Sequence, residues 1–117
     1  MVSALVVDDS AVVRKVARRL LEERGYAVSE AEDSATALGL LAQGGADLIL
    51  LDWQMPQVTG ADLVRQLRAQ GAGQAARLVV MMDEAELGQV TLALRAGASD
   101  VMLKPFDRDS FAGQLGL

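Results

Sequence analysis

The sequence predicts an α/β fold, in which one parallel sheet of five strands lies between two layers of helices. Short apolar runs, typical of buried strands, alternate with helix-like segments five times along the chain. The connections between them are short, so each strand–helix–strand unit is expected to cross over into the same sheet in a right-handed sense. With 117 residues, of which 51% are hydrophobic, residues 1–117 are expected to form one domain around a buried core.

The first two predicted strands differ in the pattern of their side chains. Residues 3–7 are mostly apolar and predict a buried strand. Residues 10–23 predict a helix that ends at Gly25, because glycine readily adopts the left-handed conformation found after a helix. Residues 26–31 alternate polar and apolar side chains, which predicts a strand at an edge of the sheet.

The middle of the chain predicts a second helix, a buried strand and a third helix. Asp33 or Ser34 can cap the second helix, which is expected to end shortly before a Gly-Gly break. The apolar residues 46–51 predict a strand that is buried on both faces. Thr59 can cap the third helix, which is expected to end before Gly71.

The last third of the chain predicts two further strands around a fourth helix. Residues 77–82 include five consecutive apolar side chains and predict a buried strand, and residues 99–103 predict the last strand. Asp83 and Glu86 have the spacing of a capping box, which predicts a helix over residues 84–95.

A short final helix is expected after Asp107, which can cap it. Because so few residues follow, this helix is expected to leave apolar surface exposed around Phe111 and Leu115.

Charged side chains come directly after three of the predicted strands. Asp8 and Asp9 follow the first strand, Asp52 follows the third, and Lys104 follows the fifth. The carboxyl ends of parallel strands meet at one edge, where open α/β sheets bind ligands, so these groups are expected to lie together. Three carboxylates repel one another unless a cation joins them. Hard oxygen ligands suit Mg²⁺, and a lysine opposite them suits a phosphoryl group.

The order and spacing of these motifs resemble the receiver domain of two-component response regulators. The likeness covers nearly the whole chain and rests on three motifs: Asp8-Asp9, Asp52-Trp53-Gln54-Met55-Pro56 and Lys104-Pro105-Phe106. It implies a flavodoxin-like (βα)₅ fold and a signalling domain of the single-domain, chemotaxis-regulator type. Such a domain is not an enzyme, since the only chemistry expected is phosphoryl transfer onto itself and hydrolysis of the product.

The resemblance implies a role for each charged residue at the sheet edge. Asp52 would be the phosphoacceptor, and a carboxylate can attack phosphorus without a histidine, which this chain lacks. Asp9 would bind Mg²⁺ directly and Asp8 mostly through water, and Asp52 and the backbone carbonyl of Gln54 would supply further ligands. Lys104 would pair first with Asp52 and then with the phosphoryl oxygens.

The resemblance also bears on two residues beside the site. Receiver domains usually have a cis peptide bond between this lysine and the proline that follows it, so a cis bond is expected between Lys104 and Pro105. Trp53 is the only tryptophan and should report ligand binding by fluorescence. Nothing in the chemistry requires an indole, so it is expected to be an exposed or half-packed loop side chain.

Two positions depart from the usual receiver. Met82 stands where receivers carry a Thr or Ser that hydrogen-bonds the phosphoryl group, and Val101 stands where they carry an aromatic residue. A thioether cannot donate a hydrogen bond. The resulting hypothesis is that Asp52 is phosphorylated with Mg²⁺ but that coupling to the distal face is weak or rewired.

Three other functions remain as alternatives. A pseudo-receiver would keep the pocket and act as an interaction module that does not depend on phosphorylation, which the residues at Met82 and Val101 would favour. A phosphatase with an aspartyl nucleophile would need a second Asp where Gln54 stands. Nucleotide binding would need a glycine-rich phosphate loop, and the sequence contains none.

Composition limits the partners. The net charge of -5 argues against direct nucleic-acid binding, and no apolar run is long enough for a membrane span, so a cytoplasmic protein is expected. The resemblance implies a histidine kinase or phosphotransfer protein as phosphodonor and a downstream target that the sequence does not identify. The chain is expected to be a monomer or a weak dimer.

Two surfaces are candidates for these partners. The first predicted helix carries four basic residues: Arg14, Lys15, Arg18 and Arg19. They either dock the phosphodonor or form a solvated face that is balanced by Glu22 and Glu23. By resemblance, the output face would include Thr91, Arg95 and Val101.

Overall fold

The structure, a computed structural model, describes residues 2–117 and contains five parallel strands and five α-helices. The strands are β1 (Ser3–Val7), β2 (Ala27–Ala31), β3 (Leu48–Asp52), β4 (Arg77–Met82) and β5 (Asp100–Leu103). The helices are α1 (Ala11–Glu22), α2 (Ser34–Gln43), α3 (Gly60–Ala69), α4 (Val90–Ala96) and α5 (Arg108–Leu115). Two stretches are 3₁₀ helix: Gly71–Gly73 and Glu84–Gln89, the latter called the 3₁₀ segment below.

The sheet has the order β2-β1-β3-β4-β5, and every neighbouring pair is parallel. This order confirms the predicted fold class and places β2 at an edge. The order changes direction between β1 and β3, and ligand sites of open α/β sheets lie outside the carboxyl ends of the strands at such a point. No helix within residues 2–117 is long and apolar enough to span a membrane.

Two hydrophobic cores lie on opposite faces of the sheet. Alternate residues of a strand face opposite sides, so Leu5 and Val7 belong to one core and Ala4 and Val6 to the other. The first core packs α2, α3 and α4 against the sheet, and the second packs α1 and α5. With both faces covered, β3 is fully buried, as its unbroken apolar sequence predicts.

The predicted caps are present, together with a cap at Ser10 that was not predicted, and they lie at the starts of α1, α2, α3, the 3₁₀ segment and α5. Each capping side chain accepts a hydrogen bond from the backbone N–H three residues on. The caps are Ser10, Asp33, Thr59, Asp83 and Asp107. At the end of α1, Gly25 has a φ of 88°, the left-handed conformation that its sequence position predicts.

The structure corrects three of the predictions. The third strand begins at Leu48 rather than at residue 46. Asp47 lies just before it: its backbone bonds Ser3 at 3.0 Å and Arg77 at 2.9 Å, and its side chain also accepts from Ser3 N–H at 2.8 Å. Residues 84–95 are not one helix, since the 3₁₀ segment precedes α4. Gly88, a poor helix former, lies just before this change.

The third correction concerns the final helix. Phe111 and Leu115 are buried rather than exposed, because successive turns of α5 pack against the second core. The carbonyl of Leu115 also accepts a hydrogen bond from Arg77 at 2.5 Å, which ties the end of α5 to β4. Large exposed apolar side chains lie elsewhere, including Leu92 and Leu94 on α4.

Candidate functional site

The carboxyl ends of three strands bring the predicted charged residues together. Asp52 is the last residue of β3, while Asp8 and Lys104 directly follow β1 and β5. Backbone pairing continues past the strand ends, since Asp8 N–H donates to Ala31 at 3.1 Å and Lys104 N–H donates to Met82 at 2.8 Å. The sheet itself therefore fixes the positions of these side chains.

Lys104 lies between two carboxylates. Its Nζ donates to Asp52 Oδ1 at 2.8 Å and lies 3.5 Å from Asp8 Oδ2. The peptide bond from Lys104 to Pro105 is cis, as the resemblance implies. A single ammonium therefore faces the carboxylates of the sheet edge.

Asp9 completes a group of three carboxylates. Asp8, Asp9 and Asp52 each offer one oxygen, and these oxygens all lie within 4.8 Å of one another. Asp8 is 0% and Asp52 is 4% exposed, whereas Asp9 is exposed to solvent. This group therefore carries more negative than positive charge, and water can solvate only the exposed carboxylate.

Burial dominates the protonation of this group. Burial raises the pKa of Asp8 to about 6, against the lowering effect of the Ser10 backbone N–H that its carboxylate accepts. Burial also raises the pKa of Asp52, although its hydrogen bond to Lys104 opposes the shift. Burial is the largest single influence on Lys104 and would lower its pKa, but the hydrogen bond and the charge of Asp52, together with the charge of Asp8, raise it. All three pKa values are raised, and burial is the largest cause for the two carboxylates.

The donor set fits Mg²⁺. The Oδ1 atom of Asp8 accepts from Ser10 N–H at 2.9 Å, but its buried Oδ2 has no hydrogen-bond partner among residues 2–117. A buried carboxylate oxygen without a partner is costly unless a cation or water meets it. Carboxylate and carbonyl oxygens are the ligands that Mg²⁺ prefers. Gln54 follows Asp52 by two positions, and its N–H donates to Asp52 Oδ1 at 3.4 Å, so its backbone lies beside the group.

Trp53 is buried, contrary to the expectation of an exposed or half-packed side chain. It is 5% exposed and belongs to the core that packs α3 and α4. The loop can fold over it because residue 60 is glycine, and a Cβ there would overlap the indole ring. Its Nε1–H donates to Gln89 Oε1 at 2.8 Å. Gln89 carried no sequence signal, because its partner lies 36 positions away.

The two residues that depart from the receiver pattern, Met82 and Val101, have apolar side chains. Met82 is fully buried in the same core as Trp53, next to Met81, which pairs with Asp52 across the sheet. Val101 is half-buried on β5 and pairs with Val80. Neither side chain has a hydroxyl group, so neither can donate a hydrogen bond to a phosphoryl group.

A second charged cluster lies behind the pocket, between α1 and β2. Glu30 accepts from Arg14 at 3.2 Å, from Lys15 at 2.9 Å and from Arg18 at 2.9 Å. Burial alone would raise the pKa of Glu30, but its bonds to Arg18 and Lys15 outweigh this and lower it to about 2. Arg14 also donates to the carbonyl of Asp8 at 2.8 Å, which joins the cluster to the pocket.

The sequence interpretation missed Glu30 as the partner of the basic helix. Of the predicted acidic partners, Glu22 does pair with Arg18 at 3.3 Å, but Glu23 pairs with Arg108 instead. A usable signal existed, since Glu30 lies on the same half-buried face of β2 as Val28. A charged residue on that face needs a partner.

Comparisons with known proteins agree with this geometry. The family model of the response regulator receiver domain matches residues 4–115. The chemotaxis protein CheY of Pseudomonas aeruginosa is 36% identical over 103 residues, which cover 87% of this chain and 83% of that protein. Neither the family match nor this relative favours the pseudo-receiver alternative.

Solved structures give the same result. Chemotaxis response regulator CheY4 of Vibrio cholerae has a TM-score of 0.91 at 28% identity, covering 99% of this chain and 97% of that one. The receiver domain of sensor histidine kinase PA1611 from Pseudomonas aeruginosa, solved with a magnesium ion coordinated in its active-site cleft, has a TM-score of 0.82 at 28% identity. The superposition covers 98% of both chains.

Proposed function

This chain belongs to the response regulator receiver domain family, and on that premise we propose that its phosphoacceptor is Asp52. The chain is therefore a receiver of two-component signal transduction. The observation that supports Asp52 most strongly is its bond to Lys104 at 2.8 Å within a buried group of carboxylates. Residues 1–117 are proposed to form one receiver domain.

Phosphoryl transfer to Asp52 is a displacement reaction at phosphorus. A carboxylate oxygen of Asp52 forms a bond to phosphorus while the bond from phosphorus to the donor nitrogen of a phosphohistidine breaks. The electron pair of the broken bond stays on the imidazole nitrogen, which takes a proton. This reaction needs neutralisation of charge more than acid–base help, because its transition state is loose and anionic.

Lys104 supplies part of that neutralisation from this chain. Its ammonium bonds Asp52 and is held in place because β5 positions its backbone against Met82. As the phosphoryl group arrives, the same ammonium can bond a phosphoryl oxygen and leave the attacking carboxylate oxygen free. Its raised pKa keeps it charged at neutral pH.

We assign the Mg²⁺ site to Asp8, Asp9, Asp52 and the backbone carbonyl of Gln54. When bound, Mg²⁺ neutralises the phosphoryl oxygens and relieves the repulsion among the carboxylates. Within the chain, Asp8 is held by Ser10 N–H and by the β1 backbone, whereas Asp9 is exposed and can adjust to the ion. Asp8 would therefore be the fixed ligand of the ion and Asp9 the adaptable one.

Loss of the phosphoryl group is proposed to occur by hydrolysis at the same site. A water oxygen bonds phosphorus, the bond from phosphorus to Asp52 breaks, and inorganic phosphate and the free carboxylate result. The side chain of Gln54 is exposed beside Asp52, so it can order or obstruct that water.

The partners are proposed by family. A histidine kinase or phosphotransfer protein is the phosphodonor, and a downstream protein that binds the phosphorylated form is the target. Coupling to that target is proposed to be weak or rewired, because Met82 and Val101 lack the usual groups. We propose that the protein acts in the cytoplasm as a monomer or a weak dimer.

The test is phosphorylation by a small donor with Mg²⁺, read by intact mass and by peptide mapping. The wild type should gain one acid-labile phosphoryl group on Asp52, and Asp52→Asn should gain none. Asp62→Asn, which changes an exposed helix carboxylate, is the matched control and should be labelled like the wild type. Equal labelling of Asp52→Asn would reject the assignment.

A further inference from the structure

One hydrogen bond joins the residue after Asp52 to the start of α4. The indole N–H of Trp53 donates to Gln89 Oε1 at 2.8 Å. Gln89 is the last residue of the 3₁₀ segment, and α4 begins with the next residue. The bond therefore connects the acceptor strand directly with the element that precedes the exposed face of α4.

The indole end of this connection is rigid. The backbone N–H of Trp53 donates to Met81 at 2.9 Å, and its ring is enclosed by Gly60 and by the core that includes Ala93 of α4. Because Trp53 shares a peptide bond with Asp52, a displacement of the Asp52 backbone would displace the indole as well. A buried indole N–H usually keeps a hydrogen-bond partner, so the acceptor oxygen is expected to follow it.

The Gln89 end lies at a change of backbone conformation. Gln89 has φ -101° and ψ 7°, between the 3₁₀ segment and α4. It occupies the N-cap position of α4 but its side chain makes no capping bond there. Its amide oxygen accepts the indole N–H of Trp53 instead, so the residue just before α4 is bonded to the indole.

The bond also lies beside the entrance to the acceptor site. An open cavity of about 480 Å³ is lined by Asp9 and Gln54 together with Trp53 and Gln89. A ligand that binds beside Asp9 and Gln54 therefore lies in the same cavity as both partners of the bond.

We propose that the Trp53–Gln89 hydrogen bond carries the state of Asp52 to α4, in place of the hydroxyl that Met82 and Val101 do not provide. The inference rests on the proposed role of Asp52 as phosphoacceptor. Coupling requires an interaction that differs between two states, and this bond joins the residue after β3 to the residue before α4. Loss of one such bond changes an equilibrium by about two- to tenfold.

The test uses amide NMR spectra with Mg²⁺ before and after addition of beryllofluoride, a phosphoryl mimic. Amides of Gln54 and Lys104 report the pocket, and amides of Thr91 and Arg95 report α4. In the wild type both groups should shift. In Gln89→Ala the pocket amides should still shift, whereas the equilibrium reported by the α4 amides should move back by about two- to tenfold, so that the α4 shifts become smaller.

Two further variants separate the hydrogen bond from packing. Gln89→Glu retains an oxygen that accepts the indole N–H, so it should restore the α4 shifts. Trp53→Phe removes the donor but keeps an aromatic ring, so it should behave like Gln89→Ala. The indole N–H resonance itself should move in Gln89→Ala and lie near its wild-type position in Gln89→Glu.

The contrary results are distinct. Wild-type α4 shifts in Gln89→Ala, or α4 shifts that Gln89→Glu fails to restore, would overturn the role of the bond while leaving Asp52 as acceptor. Pocket shifts without any α4 shift in the wild type would overturn it too. An absence of pocket shifts in the wild type would instead reject the proposed function and this inference with it.

Discussion

Two charged clusters in this protein are opposites in composition. At the carboxyl edge of the sheet, the acceptor cluster, named for the role proposed for Asp52, contains the carboxylates of Asp8, Asp9 and Asp52 and one cation, Lys104, which pairs with Asp8 and Asp52. Behind it, three cations of α1 surround one anion, Glu30. The pKa values move in opposite directions, with Asp8 raised to about 6 and Glu30 lowered to about 2.

The difference between the clusters lies in how well water reaches the charge in excess. The side chains of Lys15 and Arg18 are 67% and 40% exposed, so solvent balances the extra positive charge around Glu30. Asp8 and Asp52 are almost fully buried, so solvent cannot balance the extra negative charge there. An excess of buried charge prepares a ligand site, whereas an excess of exposed charge supports the structure.

The largest expected effect comes from removing the one cation of the acceptor cluster. Lys104→Met should slow phosphorylation of Asp52 by a small donor by roughly 10²- to 10³-fold, because a fixed positive charge at the transition state is lost. The rate is measured by time-resolved intact mass at saturating Mg²⁺.

The chain provides a matched control in its other lysine. Lys15→Met removes an exposed cation of the Glu30 cluster and should leave that rate unchanged. Similar losses in the two variants would show that overall charge, and not the buried pocket, controls the reaction.

The second effect is a pH dependence of stability in the metal-free protein. Because the pKa of Asp8 is raised from 3.8 to about 6, the folded protein holds a proton that the unfolded chain has released between these values. The free energy of unfolding should therefore fall as pH rises from about 4 to about 6, by at most about 3 kcal/mol.

Urea unfolding in the presence of a chelator measures this slope. Asp8→Asn keeps an oxygen for Ser10 N–H but cannot ionise, so its slope between those pH values should be clearly smaller. Identical slopes in the wild type and the variant would contradict the role given to burial.

The acceptor cluster was more accessible to sequence reasoning than the Glu30 cluster. Asp8 and Lys104 each follow a strand and Asp52 ends one, and the carboxyl ends of parallel strands meet at one edge whatever the details of packing. The partners of Glu30 depend on how α1 lies across β2, and the Trp53–Gln89 bond depends on a contact across 36 positions. Neither contact has a local sequence pattern.

The boundaries of the helices could also be predicted only where they depend on residues close in sequence. The caps at Asp83 and Asp107 could be recognised because each depends on residues three positions apart. The change from the 3₁₀ segment to α4 could not, because it occurs where Trp53 binds Gln89. The burial of Phe111 likewise depends on the second core and not on the length of α5.

The third effect restores the missing hydroxyl of the acceptor cluster. With beryllofluoride bound, Met82→Thr should raise the equilibrium constant for the shifted state of α4 by about tenfold. The reason is that a hydrogen bond to a charged group is worth about 1.5–3 kcal/mol. The response is measured as the fraction of protein in the shifted α4 state by NMR.

Met81→Thr is the matched control for this change. Met81 is equally buried but belongs to the second core, on the opposite face of β4. It should lose stability without any gain in coupling. If Met82→Thr changed neither coupling nor phosphate lifetime, the hypothesis of weakened coupling at this position would be wrong.

The smallest effect is expected in the exposed cluster. Glu30→Gln should lower the free energy of unfolding at neutral pH by about 1 kcal/mol, because solvent screens most of these ion pairs. Since the pKa of Glu30 is lowered from 4.5 to about 2, its contribution is present above pH 4.5 and is lost as pH falls towards 2. Urea unfolding should therefore give equal stabilities for the two proteins near pH 2.

The most direct test of the contrast between the clusters is Mg²⁺-dependent stability at neutral pH. At a concentration ten times its dissociation constant, Mg²⁺ should raise the free energy of unfolding by about 1.4 kcal/mol in the wild type and in Glu30→Gln. The gain should disappear in Asp9→Asn, which alters an exposed ligand without disturbing the core. An equal gain in Asp9→Asn would show that the cation binds elsewhere and would contradict the contrast drawn between the two clusters.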